Sequence, residues 1–115
     1  MTAIHIFSES AAIGRRMRDI LYPAGYAHIT VSDLSAIYTE YSWRQDSIMI
    51  IYAKTRIPDI IQNAAGSGCP VILLLNPDCY AMYRDRARHL GITLLLMPVS
   101  PYMLLDAVQE VSAIF

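Results

Sequence analysis

The sequence feature that most restricts the possible folds of this chain is a short apolar run at residues 48–52 (Ile, Met, Ile, Ile, Tyr). Consecutive apolar residues without polar alternation are typical of a strand covered on both faces, as in a parallel sheet between two layers of helices. The runs at residues 70–75 and 92–97 have the same character. In such a sheet, the residue that leaves the C-terminal end of the central strand usually carries the chemistry. That residue is Tyr52.

Segments with helical spacing or turn residues separate these runs along the chain. The predicted strands are residues 4–7, 27–31, 48–52, 70–75 and 92–97. The predicted helices begin after Ser10 and end before Pro23, then span residues 34–41, 59–65, 80–90 and 102–114. Ser10 and Ser100 are expected to cap helices, and Gly91 to end one. The pattern predicts a doubly wound α/β domain with five helices and the flavodoxin-like strand order 2-1-3-4-5.

The composition fits one domain that works in the cytoplasm. The chain has 115 residues, of which 55% are hydrophobic and 17% charged, so disorder is not expected. No apolar run reaches the roughly 18 residues that a membrane span requires. The N-terminus has no basic segment before its apolar residues, which argues against a secretory signal. We expect either a single-domain protein, residues 1–115, or the N-terminal domain of a longer regulator.

The charge and the cysteines exclude several kinds of site. A formal net charge of -1 provides no bulk attraction to nucleic acid or to an acidic membrane. Cys69 and Cys79 flank a predicted strand that spans about 20 Å at roughly 3.3 Å per residue, too far for a disulfide. We expect both to remain thiols. Neither has a partner at metal-ligand spacing, so no metal or other cofactor is predicted.

The segment 91–101, Gly-Ile-Thr-Leu-Leu-Leu-Met-Pro-Val-Ser-Pro, is followed by Leu-Leu-Asp-Ala-Val at 104–108. Gly25-Tyr26 follows the first helix, and Pro-Val-Ile at 70–72 opens the fourth strand. In this order the chain resembles a receiver domain of the response-regulator (CheY-like) family over essentially its full length. The resemblance implies a CheY-like fold and a role in signal transduction, as in two-component systems or transcription regulation.

The resemblance places the reactive positions of a receiver at Ser8, Glu9, Tyr52, Leu75 and Met97. Receivers have an acidic pair that holds Mg²⁺ at the first two positions, followed by a phosphoacceptor aspartate, a hydroxyl residue and a lysine. Of these chemical groups only the carboxylate of Glu9 is present. A phenol lacks the carboxylate that attacks a phosphoryl donor. The chain is therefore similar to an atypical, or pseudo-, receiver, and no catalytic residue or enzyme activity is predicted.

Two of these residues have a simple structural interpretation. Tyr52 is expected to fill the vacated acidic pocket, because a tyrosine buries a large apolar area and needs one partner for its hydroxyl. Glu9 is expected to pair with Lys54 at the rim of the pocket. The loop from Tyr52 to Pro58 is about two residues longer than the family pattern. An alternative prediction is a sensor that binds a nucleotide or metabolite at the ends of strands one and three.

The favoured functional surface is the face of the fourth helix, fifth strand and fifth helix, which receivers commonly use for dimerisation or partner binding. Tyrosine is enriched at protein interfaces, and several tyrosines and arginines cluster here. The candidate interface residues are Tyr80, Tyr83, Arg84, Arg88, Leu94 and Tyr102. Leu94 occupies the aromatic switch position of the family. We expect a protein partner or a homodimer at this face, and neither nucleic acid nor a membrane.

Overall fold

A five-stranded parallel sheet forms the centre of the computed structural model, which describes residues 3–38 and 47–114. The strands are β1 (Ala3–Ser8), β2 (Ile29–Asp33), β3 (Ser47–Tyr52), β4 (Val71–Leu75) and β5 (Thr93–Leu96). Their order is β2-β1-β3-β4-β5, which confirms the predicted flavodoxin-like arrangement. Among the helices in the described ranges, none is long and apolar enough to cross a membrane.

The central position of β3 explains its apolar sequence. It pairs with β1 from Ala3↔Ser47 to Ser8↔Tyr52 and with β4 from Met49↔Val71 to Tyr52↔Leu74. Every residue of β3 is buried, because strands flank it on both sides and helices cover both of its faces. The register places the last residue of β1 directly beside the last residue of β3.

Within the described residues four α-helices cover the sheet, and three of the predicted caps are present. They are α1 (Ala11–Leu21), α2 (Ile57–Ala65), α3 (Pro77–His89) and α4 (Pro101–Ile114). The hydroxyl of Ser10 accepts the N–H of Ile13 at 3.2 Å, and that of Ser100 accepts the N–H of Met103 at 3.2 Å. Gly91 follows α3 with a φ of 75°, a left-handed conformation that glycine adopts without strain.

The prediction of five helices is wrong for the part of the chain that the structure describes. In place of a second α-helix at 34–41 there is a 3-10 helix, Leu34–Tyr38, and residues 39–41 lie outside the described residues. Leu34 and Ile37 are buried and three residues apart, which matches the three residues per turn of a 3-10 helix. Asp33 stabilises the turn, since its Oδ2 accepts the N–H of Ser35 at 3.0 Å.

Two helices begin earlier than predicted, at Ile57 rather than 59 and at Pro77 rather than 80. In both, a proline lies in the first turn, where a helix needs no N–H donor. The sequence prediction had assigned these prolines to loops. The strands differ by one or two residues at their ends, such as β2, which begins at Ile29 rather than 27.

The core has two layers, one on each face of the sheet. Met49 and Ile51 of β3 point towards α2 and α3, whereas Ile50 and Tyr52 point towards α1 and α4. This alternation is the period of two that strands impose on their side chains. Tyr52 is therefore a member of the apolar cluster that α1 and α4 cover.

Candidate functional site

The C-terminal ends of β1 and β3 bring three of the predicted site residues together. Ser8 and Tyr52 are register partners, and the N–H of Glu9 donates to the carbonyl of Tyr52 at 3.1 Å. Further along the same edge, the N–H of Met97 donates to the carbonyl of Leu75 at 2.9 Å. The positions that the receiver resemblance singled out thus lie along the border of the sheet that is formed by the C-terminal ends of its strands.

Tyr52 is enclosed, with 3% of its surface exposed. Its ring belongs to the apolar cluster beneath α1 and α4, against which the half-buried Met97 also packs. Its hydroxyl donates to Oδ1 of Asn76 at 3.5 Å, a long and weak hydrogen bond. The ring therefore fills space in the core instead of presenting a reactive group to solvent.

The carboxylate of Glu9 binds the loop that follows β3. Its Oε1 accepts the backbone N–H of Lys54 at 3.0 Å, the N–H of Thr55 at 2.9 Å and the hydroxyl of Thr55 at 3.1 Å. Desolvation acts to raise the pKa of Glu9, but these hydrogen bonds outweigh it and hold the pKa below its ordinary value. The Lys54 ammonium makes the smallest contribution, so Glu9 contacts Lys54 mainly through the backbone.

The hydroxyl of Ser8 is hydrogen-bonded to the backbone of Ser10 in the same loop. It is 3% exposed, and its hydroxyl donates to the carbonyl of Ser10 at 2.6 Å and accepts the Ser10 N–H at 3.1 Å. Together with Glu9 it lies where the acidic pair of a receiver would lie. Within residues 3–38 and 47–114, no group of three or more His, Cys, Asp or Glu side chains could hold a metal ion.

Leu75 and Met97 lie on opposite faces of the sheet. Leu75 is fully buried in the cluster under α2 and α3, while Met97 packs on the α1 and α4 side. A peptide bond in the cis form joins Met97 to Pro98. Neither side chain has a charge or a hydroxyl, so this end of the sheet offers no polar group from these two positions.

The six candidate interface residues fall into two groups. Tyr80, Tyr83 and Leu94 are half-buried and pack against the cluster under α2 and α3, with Cys79 beside them as a thiol. Arg84, Arg88 and Tyr102 are exposed, and Tyr102 reaches 77% exposure. Only the second group is fully available for contact with another molecule.

Sequence reasoning missed two exposed apolar side chains on the same side of the molecule. Leu96 at the end of β5 is 41% exposed, and Met103 on α4 is 42% exposed. The run at 92–97 was interpreted as a strand covered on both faces. The available signal was the strand order itself, because β5 is an edge strand and has a neighbour on one side only.

Two clefts open at the β2 end of the site and share Asp33. One has a volume of about 310 Å³ and is lined by Ser8, Ala11, Arg15, Arg18, Val31, Ser32 and Asp33. The other, of about 230 Å³, is lined by Glu9, Asp33, Leu34, Ser35, Thr55, Arg56 and Ile60. Neither cleft could be predicted from local sequence patterns, because the walls of each come from separate segments of the chain.

Comparisons with known proteins place the fold. No protein-family model matches the sequence, and a search of curated proteins finds no match. Three similar solved structures are a response regulator from Colwellia psychrerythraea, a response regulator receiver protein from Burkholderia phymatum and the chemotaxis response regulator CheY4 of Vibrio cholerae. Their TM-scores are 0.73, 0.71 and 0.69, and their sequence identities are 14%, 20% and 15%.

The similarity extends over nearly the whole of each molecule. The alignments cover 99%, 98% and 96% of this chain and 98%, 96% and 99% of the respective structures. At these identities the likeness concerns the fold and not the chemistry of individual residues. The chain therefore has the CheY-like fold of response-regulator receiver domains.

Proposed function

We propose that the chain is a signalling or regulatory interaction module that acts by protein–protein binding, without phosphorylation and without enzyme activity of its own. The observation that carries this proposal is the burial of Tyr52, at 3% exposure, in the position where the receiver resemblance expects a phosphoacceptor. An acceptor must present a carboxylate to an incoming phosphoryl group. Tyr52 has no carboxylate, and its buried side chain is not accessible to an incoming phosphoryl group.

The neighbouring residues support the same proposal. Oε1 of Glu9 already accepts three hydrogen bonds from Lys54 and Thr55, so Oε2 is the oxygen that Glu9 could offer to Mg²⁺. Mg²⁺ requires several oxygen ligands in nearly octahedral geometry. Met97, at the position of the family's lysine, has no charge to offer a phosphoryl oxygen.

Phosphodonor treatment tests the absence of acceptor chemistry. The protein is incubated with acetyl phosphate and Mg²⁺ beside a phosphorylatable receiver domain as positive control, and both are analysed by intact mass spectrometry. We expect an adduct on the control alone. A stoichiometric, hydroxylamine-sensitive acyl phosphate on this chain contradicts the proposal.

Two of the three exposed arginines of α3 lie on the side of the edge strand. Arg86 is on the α2 side, because its Nη2 donates to Oε1 of Gln62 in α2 at 3.4 Å. Two residues correspond to about 200° around a helix with roughly 3.6 residues per turn. Arg84 and Arg88 therefore project from the opposite side of α3, towards β5.

An acidic counterpart lies on α4. Met103, Asp106 and Glu110 are three and four residues apart, share one stripe of the helix and are exposed. The edge strand β5, with its exposed Leu96, is flanked by α3 in one layer and followed by α4 in the other. The face thus combines exposed apolar side chains with cationic and anionic stripes.

This combination favours a second copy of the chain as the partner. In a twofold dimer each subunit offers the same face, so α3 of one protomer can lie against α4 of its partner. The basic stripe then meets the acidic stripe twice, and complementary charge favours correct association over other pairings. Leu96 and Tyr102 would supply the apolar centre of the interface.

Charge reversal tests this dimer. Sedimentation velocity should show self-association of the wild type, loss of it in Arg84→Glu/Arg88→Glu and in Asp106→Lys/Glu110→Lys, and a heterodimer when the two variants are mixed. Arg86→Glu is the matched control, since it reverses a charge on the α2 side of α3. A wild-type chain that stays monomeric into the millimolar range contradicts self-association.

Small-ligand sensing is the second candidate function, and the two clefts that share Asp33 favour it. The place predicted for such a ligand, the ends of β1 and β3, is occupied by the Tyr52 ring and by the hydrogen bonds of Glu9. A ligand at 100 times its dissociation constant stabilises a protein by about 2.7 kcal/mol. Thermal-shift measurements would detect that change, and a pure interaction module would not respond.

A further inference from the structure

The larger cleft lies between α1 and β2, at the C-terminal ends of β1 and β2. Its volume of about 310 Å³ is at the lower end of the range for small-molecule sites, roughly 300–1,000 Å³. One wall is formed by α1 and the other by the last residues of β2. The side chains on the two walls have opposite charge.

The α1 wall is cationic. Ala11, Arg15 and Arg18 are four and three residues apart and face the cleft together, and the short side chain of Ala11 leaves room beside the arginines. The Nε of Arg18 is 3.5 Å from Oδ1 of the exposed Asp19, a pair that is screened by solvent. Arg15 has no ion-pair partner among the residues that the structure describes.

The β2 wall ends in the carboxylate of Asp33. Its Oδ2 accepts the hydroxyl of Ser35 at 2.6 Å and the N–H of Ser35 at 3.0 Å, and these bonds hold the pKa of Asp33 below its ordinary value. They leave Oδ1 available to a ligand. Of the ion pairs in residues 3–38 and 47–114, none joins Asp33 to Arg15 or Arg18, so the two arginines and the carboxylate of Asp33 face one another across the cleft without a direct ion pair.

The backbone beside the cleft is closely packed. A Cβ on Gly14 would lie 3.0 Å from Cγ1 of Val31 and 3.3 Å from Cβ of Ser8, so a larger residue would require these side chains to shift by a few tenths of an ångström. This contact fixes the separation of the two walls. The cleft is therefore formed before any ligand binds, which lowers the ordering cost of binding.

We propose that this cleft binds a phosphorylated sugar, such as ribose 5-phosphate or the sugar phosphate of a nucleoside monophosphate. Guanidinium groups match the geometry of phosphate oxygens, so the phosphate binds at Arg15 and Arg18. The sugar hydroxyls donate to Asp33, since a carboxylate after the second strand accepts ribose hydroxyls in other α/β folds. The site is separate from the α3–β5–α4 face and does not depend on the proposed dimer.

Two-dimensional NMR titration of the full chain tests the site. Ribose 5-phosphate and AMP are the probes, and inorganic phosphate and adenosine are the comparison ligands. We expect shifts of the amide peaks of Ala11, Val31 and Ser32, with the peaks of β5 and α4 unchanged. Tighter binding of AMP than of ribose 5-phosphate supports a nucleotide, and equal binding supports a free sugar phosphate.

Matched variants separate this site from general charge attraction. Arg15→Gln should weaken ribose 5-phosphate about tenfold, because a charge-assisted hydrogen bond to phosphate is lost. Arg16→Gln removes the same charge from an exposed position on α1 outside the cleft and should leave the affinity unchanged. Asp33→Asn, which retains an oxygen for Ser35, should weaken ribose 5-phosphate but not inorganic phosphate.

Three results overturn the proposal. The first is the absence of shifts around the cleft with both phosphorylated probes into the millimolar range. The second is an equal loss of affinity in Arg15→Gln and Arg16→Gln, which indicates nonspecific attraction. The third is binding of adenosine as tight as that of AMP, which leaves no role for the arginines. Amide spectra of the free variants establish that each remains folded.

Discussion

The C-terminal ends of β3 and β5 have similar apolar sequences and opposite surroundings. Tyr52 ends β3 at 3% exposure, whereas Leu96 ends β5 at 41%. The difference comes from the strand order, because β3 has a strand on each side and β5 has β4 alone. The apolar character of a strand thus predicts burial only after its place in the sheet is known.

The polar groups of the two regions also differ, in whether they already have hydrogen-bond partners within the chain. At the end of β1 and β3, Glu9 and Ser8 use their oxygens on nearby backbone groups. On the β5 side, Arg84 and Arg88 extend from α3 as exposed side chains, and the one ion pair there among the described residues, between Arg84 and Asp85 at 3.6 Å, is itself exposed to solvent. A region whose polar groups already have hydrogen-bond partners has little to gain from a new contact, so we expect the protein partner to bind at the edge strand.

Tyr52→Asp is the change with the largest expected effect. It would put a carboxylate into an apolar cluster and remove a large ring, and we expect it to reduce the free energy of unfolding by more than about 3 kcal/mol. Urea denaturation followed by circular dichroism measures this loss. Leu96→Asp, at the exposed end of β5, is the control and should change stability by less than about 1 kcal/mol.

The opposite result would remove the contrast between the two regions. If Tyr52→Asp were as stable as the wild type, the end of β3 would be accessible to water. Acetyl phosphate treatment of that variant would then test whether the new carboxylate accepts a phosphoryl group.

A pair of alanine variants within β5 sharpens the comparison. Leu94 packs against the cluster under α2 and α3, so Leu94→Ala should destabilise the chain by about 2 kcal/mol. Leu96→Ala should change stability by less than about 0.5 kcal/mol and instead weaken self-association in sedimentation velocity. Equal stability losses in the two variants would contradict the assignment of Leu96 to an open surface.

Sequence reasoning predicted the elements whose signals are local. Apolar runs and turn residues predicted the five strands, the alternation of strands with helices predicted their order, and Ser10 and Ser100 marked the starts of two helices. The sequence-based predictions were wrong where one local pattern is compatible with two structures. Pro58 and Pro77 fit a loop and a first helical turn equally well, and the buried pair Leu34 and Ile37 fits both helix types.

The surroundings of the site residues were harder to predict. Burial of Tyr52 was predicted from the large apolar area of its ring. The partners of Glu9 did not, because they are chiefly backbone groups of Lys54 and Thr55, and a backbone N–H has no signature in a sequence. The cleft beside Arg15 depends on how closely α1 approaches β2, and the tight packing at Gly14 that allows this approach is a tertiary contact with no local signal in the sequence.

Glu9→Gln should have an intermediate effect. The carboxylate accepts hydrogen bonds from Lys54 and Thr55, and its replacement should cost about 1 kcal/mol at neutral pH, a small value because solvent screens the site. Glu110→Gln, on the exposed surface of α4, is the control and should leave stability unchanged. Urea denaturation at neutral pH measures both.

The effect of Glu9→Gln on stability should depend on pH. Folding lowers the pKa of Glu9 from its ordinary value of about 4.5, so its contribution is complete above that value and is lost as the pH falls through the folded pKa. The stability difference between wild type and Glu9→Gln should therefore shrink below pH 4.5. A difference that grows on acidification would show that Glu9 is destabilised as a carboxylate.

Tyr52→Phe should have the smallest effect. It retains the ring, which provides nearly all of the buried contact, and removes only the 3.5 Å hydrogen bond to Asn76. A bond of that length is far from the optimum of about 2.7–2.8 Å for hydroxyl donors, so we expect a loss of less than about 0.5 kcal/mol in urea denaturation. Adding Asn76→Ala to the wild type and to the Tyr52→Phe background measures the coupling free energy between the two side chains. A coupling energy above about 1 kcal/mol would mean that the hydroxyl, and not the ring alone, holds the end of β3 closed.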